Sequence, residues 1–146
     1  MKLSILTLTT VLAMSGVGEA QKWSCDRSGK GQPSTQKMKD AAWDFDRLFG
    51  KDRLTAASGQ CYISHCRSHW FAFCNMAGVA RKERKGDREK AKNTGLPKGQ
   101  GNQCAITMGS LADPFNIYYF GTIDTLQKDG CFKKGGKGCR VDIRKC

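Results

Sequence analysis

Eight cysteines, Cys25, Cys61, Cys66, Cys74, Cys104, Cys131, Cys139 and Cys146, constrain this 146-residue chain more than any other feature. An even number in a short chain reads as a disulfide framework when the chain is exported. The first twenty residues look like the signal for that export. Lys2 precedes an apolar stretch from Leu3 to Met14, and Gly18 and Ala20 fit a signal-peptidase cut before Gln21. The stretch is about a dozen residues, against the roughly 20 a membrane span needs. Residues 1–20 are therefore read as a secretory signal and 21–146 as one disulfide-rich domain, of a length that suits a single core. About four bridges are expected, each contributing about 2 to 4 kcal/mol. That is a large share of the about 5 to 15 kcal/mol by which a typical domain is stable. The pairing stays open.

Cys61, Cys66, His69 and Cys74 lie within one short stretch and offer the ligands of a tetrahedral zinc site. Their spacing lacks the tight Cys-x2-Cys hook of common structural sites, and zinc thiolates suit an oxidising compartment poorly. Disulfides are the favoured use of these sulfurs, and no metal or organic cofactor is expected.

The local pattern predicts an α+β fold. A short strand should carry Trp23 and Cys25, followed by turn residues Gly29, Gly31 and Pro33. Met38, Ala41, Ala42, Phe45, Leu48 and Phe49 recur at helical steps, with Ser34 or Thr35 to cap the start and Gly50 the end. Trp43 falls off that stripe, and its role stays open between an exposed side chain and a contact for another element. From Gln60 to Met76 aromatic residues and cysteines predict two extended segments paired as a hairpin, with Cys74 in the core. Residues 79–103 have few apolar side chains and several glycines, which predicts a mobile basic loop that begins, at most, as a helical turn. Strands follow at 104–108 and 115–120. Thr122 should then cap a second helix with Ile123 and Leu126 inward and an end at Gly130, before a loop containing Gly135, Gly136 and Gly138. In the last strand Cys139, Val141 and Ile143 alternate with Arg140, Asp142 and Arg144, the pattern of one buried and one wet face. The economical packing is two helices on a small antiparallel sheet, stapled by about four disulfides.

The stretch from Ile123 to Cys131 (IDTLQKDGC), the glycine-rich loop and the closing Cys139 to Cys146 (CRVDIRKC) resemble the end of secreted fungal killer-toxin-like proteins. The aromatic-x-Cys element at Trp23 and Cys25 is similar to one found in small secreted effectors of plant-associated fungi. The resemblance covers about a third of the chain. It implies a secreted α/β sandwich that acts on another organism, toxin or effector in role, without a catalytic centre.

Charge narrows the partner. The chain carries 25 Lys and Arg against 13 Asp and Glu, a formal net charge of +12. Arg81, Lys82, Arg84, Lys85, Arg88, Lys90 and Lys92 face only Glu83, Asp87 and Glu89, while Lys133, Lys134, Lys137, Arg140, Arg144 and Lys145 face only Asp142. Such patches attract phosphate, acidic headgroups or polyuronate. The same runs also suit a solvated, solubilising surface, and the dibasic pairs at 81–82 and 84–85 suit proteolytic processing. Asp40, Asp44 and Asp46 read as the wet side of the first helix. His65 and His69 are the only histidines, and hence the candidates for acid–base work in a small ribonuclease. On one strand they would stand about 13 Å apart, too far to share a phosphate, and a bend between them would shorten that distance.

The favoured reading is a secreted, extracellular, monomeric and non-enzymatic effector or toxin-like protein. It would meet an anionic surface or a host protein, with entry into a host cell left open. A nucleic-acid-binding protein or small ribonuclease is the second reading, and a membrane-active antimicrobial protein the third. Positive charge serves all three.

Overall fold

The first helix organises the molecule. In the computed structural model, which describes residues 21–27, 29–51, 53–99, 101–110, 113–126 and 140–146, α1 (Thr35–Phe49) is capped by Ser34, whose hydroxyl accepts from the Lys37 amide at 3.2 Å. Gly50 ends it at φ 83°, a conformation that favours glycine. Met38, Ala41, Ala42 and Phe45 are buried and face a sheet. Two small residues in that stripe let the helix lie close to the strands. Phe45 meets Phe71 edge to face at 5.5 Å, and burying such a ring contributes about 1.5 to 3 kcal/mol.

Six strands form that sheet: β1 (Ser24–Asp26), β3 (Gln60–Cys66), β4 (His69–Asn75), β6 (Gln103–Ser110), β7 (Asp113–Thr122) and β8 (Arg140–Lys145), in the order β1-β6-β7-β4-β3-β8. All neighbours are antiparallel except β8, which runs parallel to β3 at one edge. A separate two-stranded ribbon joins β2 (Thr55–Ala56) to β5 (Arg81–Lys82). Two further helices are α2 (Asp87–Asn93) and α3 (Ile123–Leu126).

Strand alternation divides the core in two. Phe71, Phe73, Ile106, Met108, Tyr118 and Phe120 pack under α1, while Cys61, Ile63, Trp70, Ala72 and Cys74 pack on the other face with Leu126 of α3. Trp70 donates from its indole to Thr125 Oγ1 at 2.9 Å. Gly121 lies so close beneath it that a Cβ there would meet Thr125 Oγ1 at 2.5 Å.

The expected α+β class, first helix, 60–76 hairpin and core position of Cys74 all appear. Among the described residues three bridges are present, Cys25–Cys104, Cys61–Cys74 and Cys66–Cys146. Cys131 and Cys139, the predicted signal at 1–20, the helix end at Gly130 and the glycine loop lie outside the described residues.

Three expectations are corrected. The sheet is larger than two helices on a few antiparallel strands would need, and its last strand is parallel to its neighbour. That strand has no buried face, because it lies at the edge: Val141 and Ile143 are exposed. The basic loop at 79–103 also contains folded structure, namely β5 and α2. Asp87 and Glu89 sit in the first turn of α2 and Lys90 and Lys92 in the last, which suits the helix dipole. Arg88 and Ala91 are buried one turn apart.

Candidate functional site

Arg88 explains why that segment folds, and it removes one residue from the candidate anion-binding set. Its side chain has no solvent exposure. Nε donates to Glu83 Oε1 at 3.0 Å and Nη2 to Glu83 Oε2, while Nη1 donates to Asp46 Oδ1 at 2.7 Å and to the Gly50 carbonyl at 2.6 Å. Glu83 accepts in addition from the Arg53 and Leu54 amides and from the Tyr118 hydroxyl. Burial opposes the charge on Arg88, but its hydrogen bonds and attraction to Glu83 and Asp46 outweigh this and raise its pKa. Burial and the charge of Glu83 push the Tyr118 phenol far up. A satisfied buried network of this kind ties α1, α2 and β7 together, and its cations are spent internally. Lys92 bridges Asp46 at 2.9 Å and Glu89 at 2.6 Å, and Arg84 reaches Asp87 at 3.3 Å. Of the predicted first patch, Lys82, Lys85 and Lys90 stand exposed with Arg84, and Arg81 is partly covered.

The second patch is different. Arg140, Arg144 and Lys145 are exposed on the edge strand β8, while Lys133, Lys134 and Lys137 lie outside the described residues. Register puts Arg140 and Arg144 on the α1 side and Lys145 on the opposite side, next to His65. Arg144 lies 4.4 Å over the Phe49 ring and donates to the Leu48 carbonyl at 2.6 Å, so β8 meets the C-terminal end of α1. There α1 adds Arg47, which is exposed and reaches Cys146 Sγ at 3.1 Å, and one turn back Trp43, which is 60% exposed with the Arg47 guanidinium 5.6 Å from its ring; the exposed Lys39 lies a further turn toward the helix start. The position of Trp43, open in the sequence, is thus resolved to the surface.

The two histidines do not form a pair. His65 is opposite Trp70 and His69 opposite Cys66 in the hairpin, so the rings point to opposite faces of the sheet. A bend does lie between them, at Arg67 and Ser68, and it separates the rings instead of joining them. Burial, then the Lys145 charge, lowers the His65 pKa. For His69 burial and Lys37 lower it against an opposing effect of Asp40. The four proposed zinc ligands are divided in the same way: Cys61 and Cys74 bridge on one face, Cys66 bonds to Cys146 on the other.

A cleft of about 210 Å³ opens between the first turns of α1 and the hairpin bend, lined by Lys37, Asp40, Asp44, Arg67, Ser68 and His69. His69 Nδ1 is 3.0 Å from Ser68 Oγ, and its ring stacks on Phe120. Asp44, expected on the wet side of the helix, is only 2% exposed and lies 3.4 Å from Arg47, and Asp46 is bound to Arg88 and Lys92. The cleft balances two cations against two carboxylates around one neutral imidazole. Asp44 also lies near the Cys66 and Cys146 sulfurs, but those are joined to each other and offer no thiolate to a metal. Among the described residues no helix is long and apolar enough to cross a membrane.

No family model matches the chain, and neither a curated protein nor a solved structure is significantly similar to it.

Proposed function

We propose that this is a secreted, non-enzymatic effector or toxin-like protein that binds an anionic partner through the surface formed by α1 and β8. The observation that carries the reading is the meeting of α1 and β8: Arg47 reaches Cys146 Sγ at 3.1 Å and Arg144 seats on Phe49, with Arg140 exposed on the same face of β8. Lysine and arginine exposed on one face raise the local potential and draw polyanions by counterion release. Three disulfides support an oxidising, extracellular setting, since such bridges persist there and are rare in the cytosol. The ribonuclease reading loses its support because the two imidazoles stand on opposite faces of the sheet.

Binding to a heparin column and to inorganic polyphosphate tests the proposal. Retention that falls steeply with salt, with no cleavage of a labelled RNA over hours, is the expected result. Retention that ignores salt would overturn the electrostatic reading. RNA cleavage that disappears in a His65→Ala, His69→Ala variant would establish the nuclease instead.

A further inference from the structure

Trp43 is costly to display and has a geometry that suits a flat ligand. The other two tryptophans are enclosed, Trp23 at 4% exposure and Trp70 at 0%. Lys39, Trp43 and Arg47 follow one another at intervals of four residues on α1, so they form a single ridge with a rise of about 6 Å per step. At the C-terminal end of the ridge Arg47 reaches Cys146 Sγ at 3.1 Å, and Arg144 of β8 lies beside the same last turn, over Phe49, with Arg140 four residues back on the same face of the strand. Asp40, which accepts from Gln36 at 2.9 Å, is the exposed carboxylate of α1 beside it.

Resting on the cationic reading above, we infer that this ridge binds a single-stranded nucleic acid, with a base stacked on Trp43 and phosphates on Lys39, Arg47, Arg140 and Arg144. Proteins that hold single strands without sequence preference combine a cationic track with aromatic rings, because every base has a π-face. Arg47 already lies against the Trp43 ring, so a base added to the stack gains from both groups. A membrane is the poorer occupant. The apolar residues Met38, Ala41, Ala42 and Phe45 are all used in the core, and one indole among cations leaves no apolar strip to enter the acyl boundary. A protein interface core is poorer still, since charged residues are depleted there.

Intrinsic fluorescence reports on this ridge, because Trp43 is the exposed member of the three tryptophans. Titrating the protein with a single-stranded oligoadenylate RNA should quench it. The Trp43→Ala variant should bind the RNA about tenfold or more weakly, by the loss of one stacked base, and Trp43→Phe should recover part of the loss. Inorganic polyphosphate should bind both variants equally, and duplex RNA, whose bases are stacked on one another, should not depend on Trp43. Unchanged RNA affinity in Trp43→Ala overturns the stacking inference and leaves the cationic reading standing. No binding of polyphosphate or RNA removes both. Tighter binding to phosphatidylserine vesicles, with a blue-shifted emission, would assign the ridge to membranes and overturn the inference as well.

Discussion

Residues 81–92 and the edge strand Arg140–Lys145 carry charge of the same sign at similar density, and the fold uses them in opposite ways. In the first, Glu83, Asp46, Asp87 and Glu89 turn cations inward or along the surface, and Arg88 becomes the centre of a buried network. In the second, Asp142 is the one carboxylate, 3.5 Å from Arg144, and the guanidinium rests on an aromatic ring instead of in the interior. A count of basic residues therefore says little about anion binding until the position of the carboxylates is known. The two segments also differ in what holds them: the first is held by ion pairs in a low-dielectric interior, the second by backbone pairing with β3 and a sulfur bridge at its end.

The contrast can be broken most severely at Arg88. Arg88→Ala leaves Glu83 buried without its cation and is expected to cost about 3 to 5 kcal/mol in chemical denaturation. Neutralising both partners in Arg88→Met, Glu83→Gln should restore part of it; an equal or larger loss would mean that the network is not a charge pair.

Removing the clasp with Cys66→Ser, Cys146→Ser should cost about 2 to 4 kcal/mol, since the bridge closes a long loop. The account expects faster hydrogen exchange confined to Arg140–Lys145, with Asp87–Asn93 unaffected.

Arg144→Ala, at the exposed contact with Phe49, should lose only about 0.5 to 1 kcal/mol. A loss as large as that of Arg88→Ala would erase the distinction between the segments.

The smallest effect is of pH. His65 and His69 both have lowered pKa values in the folded protein, so below the ordinary histidine value of 6.5 the unfolded chain binds protons that the folded chain does not. Stability should therefore fall as pH drops from 7 toward 5 and be flat above 7 over this pair's range. His69→Phe should reduce the slope in thermal unfolding. A slope of opposite sign would show that a partner holds the imidazoles charged.

Much of the fold was legible because apolar periodicity reports burial directly. The α1 stripe follows from it, while the 60–76 hairpin follows from its aromatic residues and cysteines and the helix start at Thr122 from capping chemistry. Arg88 was not legible, because a sequence pattern counts arginine as surface and its partners come from five residues upstream and from α1. Asp44 was not legible either, because the Cys66–Cys146 bridge that lies against it comes from the hairpin and the chain end. Burial of a charge depends on where another element places its counter-charge, and spacing along one chain segment does not carry that. The parallel pairing of β8 was hidden too, since alternation in an edge strand looks the same in either direction. The site was half legible: the cations of β8 were named, whereas Trp43 and Arg47 become part of it only because β8 ends against the last turn of α1. The one available signal was Trp43 lying off the apolar stripe.

The salt dependence of polyphosphate binding compares the two segments most directly. Two variants of equal charge change are needed: Arg47→Gln, Arg140→Gln, Arg144→Gln on the α1–β8 surface, and Lys82→Gln, Lys85→Gln, Lys90→Gln on the folded basic segment. The account predicts that the first flattens the log–log salt slope by about 2 to 3, close to one for each lost phosphate contact, and that the second changes it by less than about 1. A slope that flattens in the second variant and stays unchanged in the first would contradict it.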